Sequence, residues 1–208
     1  MLVKHTVEEF SKVLASDAPA PGGGSVAALS GALGADLVTM VCNLSIGREN
    51  FEAHSDVLKG SLAKAQALSA NLLQRVDLDT EAFTGVMKAF KMPKATDEEK
   101  TARSAAIQAG YQDAIQSPLG IARECVAVLE LAEGLLGRSN LNALSDLGVA
   151  AQQAYAGLEG AIMNVKINIP SIKDAAFVQA ASSEVDELLG KGSAISERVY
   201  GYVTANIG

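Results

Sequence analysis

Pro21-Gly22-Gly23-Gly24-Ser25, running straight into Val26–Ile46 (VAALSGALGADLVTMVCNLSI), is the stretch on which the fold turns. Three glycines behind a proline read as a loop. Glycine loses the most backbone entropy in a helix, and proline lacks the amide donor. The residues beyond Ser25 read as helix, because Val26, Leu29, Leu33, Leu37, Met40 and Leu44 recur at gaps of three and four. Ser25 stands where an N-cap is expected, its hydroxyl free to accept from an orphan amide. A second face carries Ala27, Gly31 and Ala35, small residues that let another helix backbone approach. Amides converging at such a helix start favour a polar or anionic ligand over Gly22, Gly23, Gly24 and Ser25. A tight structural turn fits the same residues equally well. No Lys-Ser or Lys-Thr pair comes after the glycines, so the nucleotide-loop pattern is missing.

Composition points the same way. Of 208 residues, 49% are hydrophobic but only 4% aromatic, with no Trp. Alanine, leucine and glycine must then supply the core, which suits close-packed helices, and no alternating strand pattern persists. The expectation is an all-α, single-domain bundle of long helices over residues 1–208. The net charge of −7 argues against nucleic acid or an anionic membrane as the main partner. Cys42 and Cys125 fall on apolar helical positions without a second ligand at metal spacing, so each reads as a small buried hydrophobe, and no metal is expected. Val26–Ile46 is long enough to span a bilayer, yet Asp36 lies at its middle and no second span accompanies it. It reads as a buried soluble helix. MLVKHTVEEF turns acidic at once, without an apolar signal core, so the expected location is the cytoplasm.

Along the rest of the chain, His5–Ser16 reads as a short amphipathic helix. His54–Phe90 reads as a long one whose stripe is Leu58, Leu62, Ala65, Ser69, Leu72, Val76, Asp79, Phe83, Val86 and Phe90. Gly85 reads as a kink in it. Thr96-Asp97-Glu98-Glu99 is a capping box opening a third long helix, which carries Ile107, Tyr111, Ala114, Pro118, Ile121, Cys125, Val128, Ala132 and Leu135 on one face and which Pro118 is expected to kink or split. Asn142–Ile167 forms another. Ser171 is expected to cap a helix ending near Gly190-Lys191-Gly192, with a short last one over Ala194–Ala205.

Within these elements one charge is out of place. Asp79 sits in an apolar stripe between Val76 and Phe83. A carboxylate there loses hydration, its protonated form is favoured, and it can take and return a proton near neutral pH. A structural aspartate bonded to a neighbouring helix reads equally well. Asp77 and Glu81, on the opposite side, read as solvated charges. On the Asn142–Ile167 helix, Asn142, Asp146, Val149, Gln153, Gly157, Gly160, Asn164 and Asn168 share a face where Lys and Glu would be usual. That face suits a polar cleft or a close helix contact. Lys88, Lys91, Lys94 and Arg103 form the densest basic run, suited to helix-end solvation or to a ligand carboxylate.

APAPGGGSVAALSGALGADLVTMVCNLSIGRENFE resembles the opening of the cyclodeaminase/cyclohydrolase family of folate enzymes. DTEAFTGVM, KMPKATDEEK, AIQAG, NLNALSDLGVAA, NVKIN and IKDAAF continue the likeness in order. Ser139-Asn140 departs slightly from the family's Gly-Asn. The resemblance implies an all-α, cyclodeaminase-like fold assembling as a homodimer around a tetrahydrofolate derivative, with or without a polyglutamate tail, and no cofactor beyond that substrate. It implies Asp79 as the catalytic proton shuttle and Gly22–Ser25 on polar groups of the substrate. Asn142, Asp146 and Asn164 would surround the pterin, with Lys94 toward the tail. The implied reaction is closure of 5-formiminotetrahydrofolate to 5,10-methenyltetrahydrofolate with loss of ammonia. The alternatives are interconversion of 5,10-methenyl- and 10-formyltetrahydrofolate, or a folate-binding bundle without turnover.

Overall fold

The structure, a computed structural model, describes residues 1–207 and every side chain among them except that of Phe83, whose place in the apolar stripe lies outside the described residues. The described residues form six α-helices: α1 (Val7–Leu14), α2 (Gly23–Asn43), α3 (Ser55–Phe90), α4 (Asp97–Gly134), α5 (Leu144–Asn168) and α6 (Ala175–Asn206). Short 3-10 turns join several of them, and no strand occurs among the described residues. The all-α expectation holds.

α2 is the axis of the bundle. It packs most extensively on α5 and α3, with α4 closing the far side and α6 lying against α4 and α5. Its small-residue face, not its leucine face, is the buried one. Ala27, Ala28, Ala32 and Ala35 are buried, whereas Leu33 is 48% exposed and Met40 and Leu44 are similarly open. Close backbone approach explains the inversion. A Cβ on Gly34 would press on the Ala150 carbonyl, and one on Gly157 would press on the Ala27 carbonyl. With α5 this near, leucines fit only on the outer side. α2 is also the one helix among the described residues with the length and hydropathy of a membrane span.

Side chains cap the N-termini of three of these helices, α1, α4 and α6. Thr6 with Glu9, and Thr96 with Glu99, form reciprocal capping boxes at α1 and α4, each worth about 1 kcal/mol. Ser171 does not cap α6. It lies in a 3-10 turn, and Asp174 accepts from the Ala176 and Phe177 amides instead. The expected break at Gly190-Lys191-Gly192 is also absent, since α6 runs unbroken to Asn206. Gly192 serves packing: a Cβ there would overlap the Leu158 side chain. α3 likewise continues through Gly85.

Pro118 does not split α4. It is buried within a continuous helix. Proline withholds the amide that would bond to the carbonyl four residues back, here Ala114. Asn168 Nδ2, from α5, donates to that carbonyl at 3.3 Å. The loss inside one helix is made good by its neighbour. Nearby, Arg75 on α3 grips Glu124 on α4 through two bonds of 2.9 and 3.0 Å, both residues partly buried.

Candidate functional site around Asp79

The glycine loop and the second half of α3 meet at a cavity of about 300 Å³. Pro19, Ala20 and Gly22–Gly24 form one wall. Asp79, Thr80 and Ala82 form the floor on α3, and Asn164 and Asn168 come from the last turns of α5. The remaining side is apolar, made by Val86, Met87 and Phe90 of α3 with Tyr111 and Ala114 of α4. Phe90 and Tyr111 meet edge to face, ring centroids 6.2 Å apart. One end of the cavity is thus a hydrogen-bonding surface and the other an aromatic slot.

α2 begins earlier than the sequence indicates. Gly22 is the N-cap and Gly23 and Gly24 are already helical, so Ser25 is not the cap. Its side chain is fully buried, and its Oγ donates to the Val76 carbonyl at 2.9 Å. Glycine in the first turn has a steric reason. A Cβ on Gly24 would overlap the Asp79 carboxylate, which lies directly against this backbone. Only glycine lets α2 and the carboxylate share the space.

Asp79 is held in competing influences. Burial pushes its pKa up, and the Ser25 backbone amide at the start of α2 pulls it down, with burial the larger. The result is a carboxyl that holds its proton to a higher pH than an exposed aspartate, at the edge of a cavity. Beside it, the Thr80 hydroxyl is buried and has no partner among the described residues. A helical threonine commonly turns its hydroxyl to the carbonyl four residues back. Here that carbonyl belongs to Val76, and Ser25 already bonds it.

The expected site residues separate into two groups. Gly22, Gly23, Gly24, Asp79 and Asn164 come together at the cavity. Gly23 faces Asn164, whose Nδ2 would stand 3.4 Å from a Cβ there. Ser25 lies behind the wall as a structural bond. Asn142 and Asp146 do not reach the cavity. Asn142 is exposed in the 3-10 turn Leu141–Ala143, and Asp146 is in the first turn of α5. Asn164 is about 27 Å further along the axis at 1.5 Å per residue. Lys94 is exposed beyond the end of α3 and does not line the cavity. Of the basic run, Arg103 touches a cavity wall residue: it donates to the Phe90 carbonyl at 3.1 Å and lies 5.7 Å over the Phe90 ring. Asp77 is not simply solvated, since its Oδ1 accepts from the Leu2 amide.

Sequence reading missed Thr80, Met87 and the loop wall of Pro19 and Ala20. Tyr111 and Phe90 stood in the apolar stripes without being marked as site residues. Cys42 and Cys125 are both buried, with thiols pushed up to about 11 and about 12, and take no part. No three His, Cys, Asp or Glu side chains gather as a metal site among the described residues.

A helix start, a half-buried carboxyl and two amides thus gather around an aromatic-walled cavity. The chain belongs to the formiminotransferase-cyclodeaminase family, whose pattern matches residues 6–187. It is 44% identical, over all of both chains, to a methenyltetrahydrofolate cyclohydrolase of Methylorubrum extorquens. It is 34% identical to the formimidoyltransferase-cyclodeaminase of Mus musculus, covering 98% of this chain but only 38% of the mouse protein. Among solved structures, a formiminotetrahydrofolate cyclodeaminase from Thermotoga maritima superposes with a TM-score of 0.89 at 25% identity, covering 99% of this chain and 98% of that one.

Proposed function

We propose that the chain is a cytoplasmic enzyme of folate one-carbon metabolism acting at the carbon that bridges N5 and N10 of tetrahydrofolate. Asp79 is the group that moves the proton. The observation that carries this reading is the Asp79 carboxyl itself, raised in pKa at the edge of the cavity and pressed against the Gly24 backbone. The relatives' names supply the substrate class.

For the cyclohydrolase reaction, the Asp79 carboxylate takes a proton from water as the oxygen adds to the methenyl carbon. The tetrahedral carbon then releases N5, which receives that proton from Asp79. The remaining hydroxyl proton leaves to solvent as 10-formyltetrahydrofolate forms. The full-length 44% likeness to a cyclohydrolase favours this reaction. For the cyclodeaminase reaction, N10 attacks the carbon of the formimino group, which is protonated on its imino nitrogen. Asp79 carries the N10 proton to the amino group, ammonia departs, and the methenyl bridge is left. This second reading, expected first from the sequence, is supported by the 34% and 25% likenesses to cyclodeaminases. Both routes pass through a tetrahedral carbon flanked by nitrogens, so one carboxyl serves either. The cavity accommodates a bicyclic heterocycle, with Phe90 and Tyr111 beside the rings and a glutamate tail left outside.

The exposed apolar residues of α2 and α5, among them Leu33, Met40, Val149 and Met163, support a second copy of the chain on this face. Light scattering at micromolar concentration is expected to give twice the chain mass. The activity is tested by following the methenyl chromophore in two assays. Appearance from 5-formiminotetrahydrofolate establishes the cyclodeaminase. Faster loss of methenyltetrahydrofolate, with none of the first activity, establishes the cyclohydrolase. Silence in both, with folate still bound, sinks the catalytic reading and leaves a binding bundle.

A further inference from the structure

We propose that Asn168 is a specificity-determining acceptor of this cavity, reading an N–H donor of the bound ligand, and that Pro118 is what fixes it in that role. The proposal rests on the folate reading of the cavity.

An asparagine side chain offers two donor hydrogens and one carbonyl oxygen, and it can turn either toward a ligand. At Asn168 the choice has been made. Nδ2 donates to the Asn164 carbonyl at 2.8 Å and to the Ala114 carbonyl at 3.3 Å. Both hydrogens are spent on oxygens that cannot donate in return, so the amide cannot flip without setting acceptor against acceptor. Among the described residues no donor reaches Oδ1, and Asn168 lines the cavity. Its remaining bonding capacity is therefore that of an acceptor alone.

The second carbonyl is open because of Pro118. In an uninterrupted helix the residue at 118 would donate to Ala114. Proline cannot, and Asn168 takes its place. An alanine at 118 would restore the helical bond and release one Nδ2 hydrogen, turning a fixed acceptor into a side chain able to present either end. A buried proline in the middle of a 38-residue helix thus has a use beyond bending it. Asn164 complements this arrangement. Its Nδ2 gives one hydrogen to the Gly160 carbonyl at 2.8 Å, which leaves it a further donor hydrogen and its own oxygen. The two amides then present different faces to a heterocycle whose edge mixes donors and acceptors. Reduced pterins carry N–H donors at the 2-amino group, N3 and N8, the class of group that Asn168 would read.

The test uses calorimetric titration of the full chain with tetrahydrofolate, which binds without turning over, alongside steady-state kinetics and thermal melting. Asn168→Leu removes the acceptor at nearly constant size, and Pro118→Ala frees it without touching the cavity's own side chains. Asn168→Leu is expected to weaken tetrahydrofolate binding about tenfold and Pro118→Ala about threefold, the range of one hydrogen bond lost or loosened. KM should rise in step while kcat changes little, because the contact is made equally in ground and transition states. Pro118→Ala should melt no lower than the parent, which separates weaker binding from weaker folding. Parental affinity in both variants would overturn the role of Asn168 while leaving the folate reading intact. Weaker binding in Pro118→Ala with a lower melting temperature would reduce the effect to helix damage and overturn it too. If the parent chain does not bind tetrahydrofolate at all, the underlying reading fails and this proposal with it.

Discussion

The two halves of α3 share one period and meet different surroundings. From Leu58 to Val76 the stripe is packed: Leu58, Ala65, Leu72 and Val76 are essentially without solvent contact. At Asp79, Val86 and Phe90 the same spacing faces a cavity, and Phe90 at its end is 42% exposed. Periodicity states which side of a helix turns inward. It does not state whether the inside is filled. The change from filled to open is marked by side-chain chemistry, a carboxyl where the pattern calls for an aliphatic, and by the neighbouring backbone, where Gly24 leaves room for it.

Asp79→Asn is the substitution most able to break this contrast. Turnover in whichever of the two assays is positive should fall about a thousandfold, the scale of a lost general acid–base, while the far-ultraviolet spectrum stays that of the parent. Full turnover in the Asn variant would make Asp79 a packing residue like those of the first half. Leu72→Ala probes the other half. It should cost about 3 kcal/mol of stability in urea unfolding and leave KM alone, because the side chain packs against Gly31, far from the cavity lining. A changed KM with parental stability would erase the distinction.

The smallest expected effect is a pH dependence with a definite sign. Asp79 binds its proton more tightly in the fold than in the unfolded chain, where a carboxyl of this type titrates near 3.8. In the window between that value and the raised folded value, the native state holds more protons than the unfolded one. Stability then falls as pH rises through the window and stays lower above it. Asn at 79 does not titrate, so its melting temperature relative to the parent should climb as pH rises above about 3.8 and level off once the raised folded pKa is passed. A difference that is flat with pH would mean the carboxyl is not perturbed.

How much of this was legible in the sequence depends on which physical cue each residue offered. Asp79 was legible because a charge interrupts an otherwise apolar stripe. Gly22–Gly24 were legible because three glycines need a reason, although the reason found at Gly24, room for the Asp79 carboxylate, lies in another helix. Asn142 and Asp146 were grouped with Asn164 because a helical period reports the side of the cylinder and says nothing about height along it. Tyr111 and Phe90 satisfied the apolar pattern so well that nothing marked them as cavity walls. Pro118 and Gly192 read locally as interruptions. The groups that override them, the Asn168 amide and the Leu158 side chain, come from residues far away in the chain.

The close seating of α2 against α5 restricts how this chain can diverge. Where Gly34 meets the Ala150 carbonyl and Gly157 meets the Ala27 carbonyl, backbone lies against backbone, with no side chain between to be trimmed in compensation. A larger residue at either place would have to displace a whole helix, and the cavity wall with it. Inheritable variation is therefore channelled to the outward leucines and methionines of the same two helices, which can drift to suit a new neighbour while the interior stays as it is.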